Sequence, residues 1–240
     1  MARPKKSFAL WVLGHVLYGL FALVIFAFCA LIIWRVFIAN RVPKELKQLA
    51  PNEVLAEAYR ANGDNLTLFT QDQATVTRAE NNAGFFSMPL FVFVEEANQV
   101  QVIFRYNNGA LGYVKDTYKL DEKPPHGERT FSLALSVVSD LTPENKEDNK
   151  DGSETLATTH ITPSACEVST TLLYTYYRLT FDNVSCTEDV LTVFLDIYYS
   201  EDVNFEKPAL GTLRLYHHES ARIAEKLSNK ERKALENFGN

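Results

Sequence analysis

The chain has 240 residues, 46% of them hydrophobic and 12% aromatic, and a formal net charge of −6. With only 9 Pro and 10 Gly, this composition excludes a disordered or mucin-like stalk. Seven of the 24 basic residues but only one of the 30 acidic ones precede residue 48, so the long later part is acidic and lacks the polybasic footprint that nucleic acid or an anionic inner leaflet requires.

A short tail, residues 1–7, carries Arg3, Lys5 and Lys6 and no acid. Residues 8–34, FALWVLGHVLYGLFALVIFAFCALIIW, contain no formal charge. As a helix this stretch reaches roughly 40 Å against a hydrocarbon core of roughly 30 Å, so it reads as a transmembrane helix in contact with the lipid bilayer. The apolar run ends in Trp34 and Arg35 rather than in small residues, which makes it an uncleaved signal anchor. Trp11 and Trp34 suit the two interfaces, and Arg35 and Arg41 can snorkel outward. Basic residues flank both ends. The acid-free tail and the acidic later part favour a cytoplasmic N-terminus with the remaining chain outside. His15 reads as a tolerated or helix-bonded imidazole rather than a proton relay, and Cys29 as an apolar filler. Gly14 and Gly19 are not spaced as a GxxxG seam.

Residues 35–64 read as a connector with one short helix. Pro51 stands at its start, Glu53 in its first turn, Arg60 in its last and Gly63 past its end. From residue 65 to 218 the period becomes two, with β-branched and aromatic residues between polar breaks. The expected strands are 66–69, 74–78, 90–94, 99–106, 111–120, 129–139, 155–161, 168–181, 190–199 and 210–217. Asn107-Asn108-Gly109 predicts a hairpin turn between the fourth and fifth of these. Residues 142–153, TPENKEDNKDGS, form a polar loop whose Lys150 spoils a calcium-binding spacing. Eight or more strands without interleaved helices predict an all-β, antiparallel β-sandwich. Residues 219–240 read as a helical tail, opened by the capping box Ser228-Asn229-Lys230-Glu231.

Cys166 and Cys186 flank the expected strand 168–181. An unbroken strand separates their ends by roughly 45–50 Å, too far for a bridge, so both are expected to be free or paired with another chain. The sequons at Asn65 and Asn183 match the number chance predicts, about two, and establish no compartment.

The search for catalytic motifs is negative: there is no G-x-S-x-G, HExxH, P-loop or GxGxxG, and no cysteine pair with metal spacing. His217 and His218 are consecutive and point to opposite faces of a strand, which disfavours a metal site, and no cofactor is expected. The densest feature is the run Tyr174-Thr175-Tyr176-Tyr177-Arg178. Alternation places Leu173, Tyr177 and Leu179 on the core side and leaves Tyr174, Tyr176 and Arg178 as an exposed aromatic row with a guanidinium, suited to a protein or carbohydrate partner. The reading is a single-pass, membrane-anchored extracytoplasmic binding or assembly module. Its rival is a membrane-tethered enzyme whose site gathers distant residues such as Asp196, His160 and His217.

Overall fold

The computed structural model describes residues 8–39, 41–71, 85–125, 127, 129–140, 156–185, 190–199, 209–217 and 223–239. The chain divides into two compact units, Met1–Val42 and Pro43–Asn240. The expected strand 74–78, the polar loop 142–153, Cys186 and His218 lie outside the described residues.

In the first unit, helix α1 (Phe8–Trp34) runs 27 residues and passes into a π-helical turn, Arg35–Ala39. It is the one helix among the described residues long and apolar enough to cross a membrane, and none of its apolar length is buried. Within it the His15 ring lies 4.1 Å from that of Trp11, and His15 Nδ1 bonds the Trp11 carbonyl at 2.8 Å. One polar nitrogen is thereby satisfied inside the helix itself, as an apolar solvent demands.

The second unit opens with helix α2 (Glu53–Asn62). Asn52 caps it, its side chain accepting from Leu55 N–H, and Pro51 precedes the cap. At the other end Gly63 adopts φ +57°, a conformation that costs glycine little, and donates its N–H to the Tyr59 carbonyl.

Ten strands follow among the described residues: β1 (Leu68–Gln71), β2 (Phe86–Val94), β3 (Gln99–Asn107), β4 (Ser132–Asp140), β5 (Leu156–Ile161), β6 (Ala165–Thr170), β7 (Tyr174–Phe181), β8 (Val190–Tyr198), β9 (Gly211–His217) and β10 (Ile223–Glu225). They form two antiparallel sheets, ordered β10-β1-β2-β3-β7-β6 and β5-β4-β8-β9. One core cluster takes Phe86, Phe104, Tyr106, Tyr177 and Leu179 from the first sheet and Leu133, Leu135, Val193, Leu195 and Ile197 from the second. Its aromatics meet edge to face: Tyr106 and Phe131 at 4.9 Å, Phe86 and Phe131 at 5.4 Å. A second cluster lies on the opposite face of the six-stranded sheet. There Val92 and Val94 meet Leu55, Ala56 and Ala58 of α2, together with Leu235 of helix α4 (Asn229–Glu236).

Two expected strands are corrected. After β3 the chain does not turn into a strand at 111–120 but into helix α3 (Ala110–Tyr118). Gly109 sits at φ −64°, where a type I′ turn needs positive φ, and its N–H bonds Asn107 Oδ1 at 2.8 Å. Ala110, Leu111 and Val114, at helical spacing, are the buried face, so a helix does stand between strands. Residues 168–181 are not one strand but the hairpin β6–β7, although no Gly, Pro or Asn marks the reversal. Thr171 makes the turn instead. Its N–H and its hydroxyl both donate to the Tyr174 carbonyl, at 2.8 and 2.9 Å, and its hydroxyl accepts from Tyr174 N–H at 3.2 Å. The distance argument that kept Cys166 from Cys186 therefore fails; Cys166 itself is a free, partly buried thiol.

Candidate functional site

Strand β7 keeps the expected alternation on its core side, where Thr175, Tyr177 and Leu179 are fully buried. The outer row is where the expectation breaks. Tyr176 is 0% exposed and the Arg178 side chain 13%, while Tyr174 is half-buried beneath the Arg105 guanidinium, 4.4 Å from its ring centre. There is no exposed Tyr-Tyr-Arg row, because this part of the sheet's outer face is covered.

Part of what lies over it is the segment between Pro43 and α2. Arg178 Nη2 donates to the Glu45 carbonyl, and Nη1 pairs with Glu167 at 3.1 Å. Further along, the Gln101 side chain holds Ala50 by both backbone groups, accepting from its N–H at 2.8 Å and donating to its carbonyl at 2.9 Å. Gln99 and Asn52 exchange side-chain hydrogen bonds at 3.0 and 3.1 Å, and Gln99 also donates to Asp182 at 2.7 Å. Both glutamines are buried on the outward side of β3, where an unpaired amide would be costly. At the same place Leu49 N–H donates to Glu231 Oε1 at the start of α4. Arg178 and Tyr174 thus each meet an intramolecular partner, Glu45 and Arg105 respectively. Sequence alternation assigns a face but does not say which later or earlier segment returns to cover it.

A second group of polar side chains sits on the outward side of the four-stranded sheet. Ser136 on β4 is 2.8 Å from His160 Nδ1 on β5 and donates its hydroxyl proton to Asp196 Oδ2 on β8. Thr212 on β9 donates to the other carboxylate oxygen at 2.8 Å. Ser136 and Asp196 are 5% and 9% exposed, whereas His160 is exposed. The pairing register brings them together: Ser136 lies opposite His160, and Thr212 opposite Asp196. Ser136, which no motif singled out, is the residue that links the two expected ones. The backbone of His217 pairs with Thr192.

These residue types resemble those of a nucleophilic triad, but their order is different. A serine becomes a nucleophile when a histidine takes its proton. Here the Ser136 hydroxyl donates directly to the Asp196 carboxylate, and His160 Nδ1 lies 2.8 Å from the same serine oxygen, so the serine and not the histidine holds the middle place. The arrangement satisfies a buried carboxylate with two hydroxyl donors. Near it the Arg214 guanidinium lies 5.8 Å from the Phe194 ring centre, with a buried Nε that has no hydrogen-bond partner. Among the described residues no group of three or more His, Cys, Asp and Glu side chains is placed to hold a metal ion.

Compared with known protein families, with curated proteins and with solved structures, the chain matches none.

Proposed function

We propose that the chain is a single-pass membrane protein whose second unit is a β-sandwich that serves outside the cytoplasm as a binding or assembly module. The observation that carries this reading is the double hydrogen bond between Gln101 and Ala50, with the Arg178 contact to Glu45 beside it. Residues 45–50, near the start of the second unit, are thereby built into its sheet, as suits a folded body that serves in assembly. The acid-free N-terminal tail and the acidic body support a cytoplasmic N-terminus.

With the tyrosine row covered, the surface available to a protein or carbohydrate partner shifts to the outer strands. Among the described residues, strands β5 and β6 end their respective sheets, and they follow each other in the chain. They present Thr158, Thr159, His160, Glu167 and Thr170 to solvent, a polar edge that suits either partner. Placement is tested by adding protease to intact cells. Cleavage of the body before the membrane is opened supports the outside location, and protection until lysis rejects it. Partner binding is tested by detergent extraction and co-purification with Thr159→Lys and Glu167→Lys together. Full recovery of the same partners with that variant rejects the β5–β6 edge.

The enzyme reading has one observation in its favour, the Ser136, His160 and Asp196 network. The direction of the Ser136 hydrogen bond disfavours it, and an activity-based serine probe gives the direct test: labelling of Ser136 would revive it.

A further inference from the structure

We propose that Leu172, at the tip of the β6–β7 hairpin, inserts into the headgroup–acyl boundary of a lipid bilayer. The proposal rests on reading Phe8–Trp34 as a membrane anchor. Leu172 is 78% exposed; the only other large hydrophobic residues exposed in the second unit, among the described residues, are Val54 at 40% and Tyr118 at 44%. A leucine this bare at a hairpin tip lies where apolar contact with a membrane needs no rearrangement.

Two independent features point to lipid as the occupant. The first is the path of the chain toward its anchor. Asn52 lies on Gln99, Ala50 on Gln101 and Glu45 on Arg178, whose register partner is Ile103. Read backwards, the segment therefore advances along β3 toward Asn107, whose partner Tyr174 begins β7 just after the Leu172 turn. Within the second unit, the segment that opens it at Pro43 thus heads, read backwards, for the end of the sheet that carries Leu172.

The second feature is the state of the tip's own backbone. Bare carbonyls resist entry into a low-dielectric boundary, since each unsatisfied group costs several kcal/mol there. Here the carbonyls of Thr171 and Leu172 accept from Asn108 Nδ2 at 3.3 and 3.2 Å, and that of Leu173 from Asn108 N–H at 2.9 Å. One asparagine satisfies three consecutive carbonyls of the turn. With these carbonyls satisfied, the tip presents the Leu172 side chain, with Leu173 half-buried beside it.

The experiment uses the full chain reconstituted in lipid nanodiscs. Both tryptophans of the protein, Trp11 and Trp34, are changed to Phe, and a single tryptophan is then placed by Leu172→Trp or, at the opposite end of β3, by Glu95→Trp. The expected result is a blue-shifted emission at position 172, quenched by lipids brominated close to the headgroup and several-fold less accessible to aqueous iodide than position 95. Equal iodide quenching at both positions overturns the proposal. Should the substituted chains fail to fold, hydroxyl-radical footprinting of the unsubstituted chain in nanodiscs decides instead. A free Leu172 is modified faster than the less exposed Val54, and an inserted one slower. Loss of the chain from membranes in alkaline carbonate removes the anchor reading and this proposal with it, whereas a retained chain with a water-accessible Leu172 overturns the proposal alone.

Discussion

Gln101 grips Ala50 by both of its backbone groups, with the N–H donating to Oε1 at 2.8 Å and the carbonyl accepting from Nε2 at 2.9 Å. The side chain replaces the neighbouring strand that these groups would otherwise need. Gln101 is 4% exposed and Ala50 8%, so water cannot easily take over the lost contacts. Gln101→Ala strands two buried backbone groups and is expected to cost about 2–4 kcal/mol, from about 1–3 for each unsatisfied group with partial relaxation. Denaturant unfolding of the full chain measures it, and a loss under about 0.5 kcal/mol, within the range of an ordinary surface substitution, would show that the contact does not hold the segment in place.

The C-terminal helix offers a sharper comparison, because one of its capping residues does two jobs. Ser228 and Glu231 form a reciprocal capping box at the start of α4, and Glu231 also accepts from Leu49 N–H at 3.0 Å. Ser228→Ala removes the cap alone and is expected to destabilise by about 1 kcal/mol. Glu231→Ala removes a capping bond and the link to Leu49, and is expected to cost more than Ser228→Ala. The order of the two thermal midpoints checks this; the reverse order would make the Leu49 bond irrelevant to stability.

The strands that read most plainly in the sequence are those whose pattern is local. Alternating apolar residues mark β2, β3, β4, β8 and β9, and the helix punctuation around Asn52 and Gly63 marks α2. Failures came where a decision depended on distant chain. Asn108-Gly109 is a good hairpin signal, yet Ala110, Leu111 and Val114 find a core to bury and the helix forms. Thr171 turns the β6–β7 hairpin with its hydroxyl, a turn weaker in sequence than one made by Gly or Asn. Alternation assigns Tyr176 and Arg178 to the outward side of their strand, but Tyr176 is buried and Arg178 largely buried there, and the chain that meets Arg178 comes from Glu45, more than a hundred positions away. Likewise Asp196 and His160 stand together in the enzyme reading of the sequence, and only strand register reveals Ser136 between them.

Cys166 provides a test of the corrected hairpin. It pairs with Leu179 in the β6–β7 register and packs against the core cluster. Burial pushes its thiol above the ordinary value, with Arg129 pulling it down and Glu167 adding to the rise. A raised thiol value means less thiolate at any given pH, and the thiolate is the reactive species. Alkylation by iodoacetamide at pH 8 is therefore expected to be several-fold slower in the folded chain than in denaturant, followed at the Cys166 peptide by mass spectrometry. Equal rates would place the thiol in solvent and contradict its packing against the core.

The buried Tyr177 phenol makes stability depend on alkaline pH, with a sign that can be worked out. Its oxygen accepts from Thr130 N–H at 2.7 Å and Phe131 N–H at 3.1 Å, which places it where the chain enters β4. Burial raises its ionisation far above the ordinary phenol value, and those two donors offset only part of the rise. In the unfolded chain the same phenol ionises near pH 10. Above that pH the unfolded state sheds a proton that the folded state keeps, so unfolding gains free energy as pH rises. The contribution of the neutral phenol is thus fully present below about pH 10 and is lost as pH climbs toward the folded-state value. Tyr177→Phe removes the titration and leaves the two N–H groups without their acceptor, one of them buried, for an expected loss of about 1–3 kcal/mol at pH 8. The other tyrosines titrate in both proteins and cancel in the comparison. The gap between the native chain and Tyr177→Phe should therefore narrow from pH 8 to pH 11, by at most about 1.4 kcal/mol for each pH unit above 10. Urea unfolding at the two pH values measures it, and a gap that stays constant would mean that the phenol ionises alike in the folded and unfolded chain.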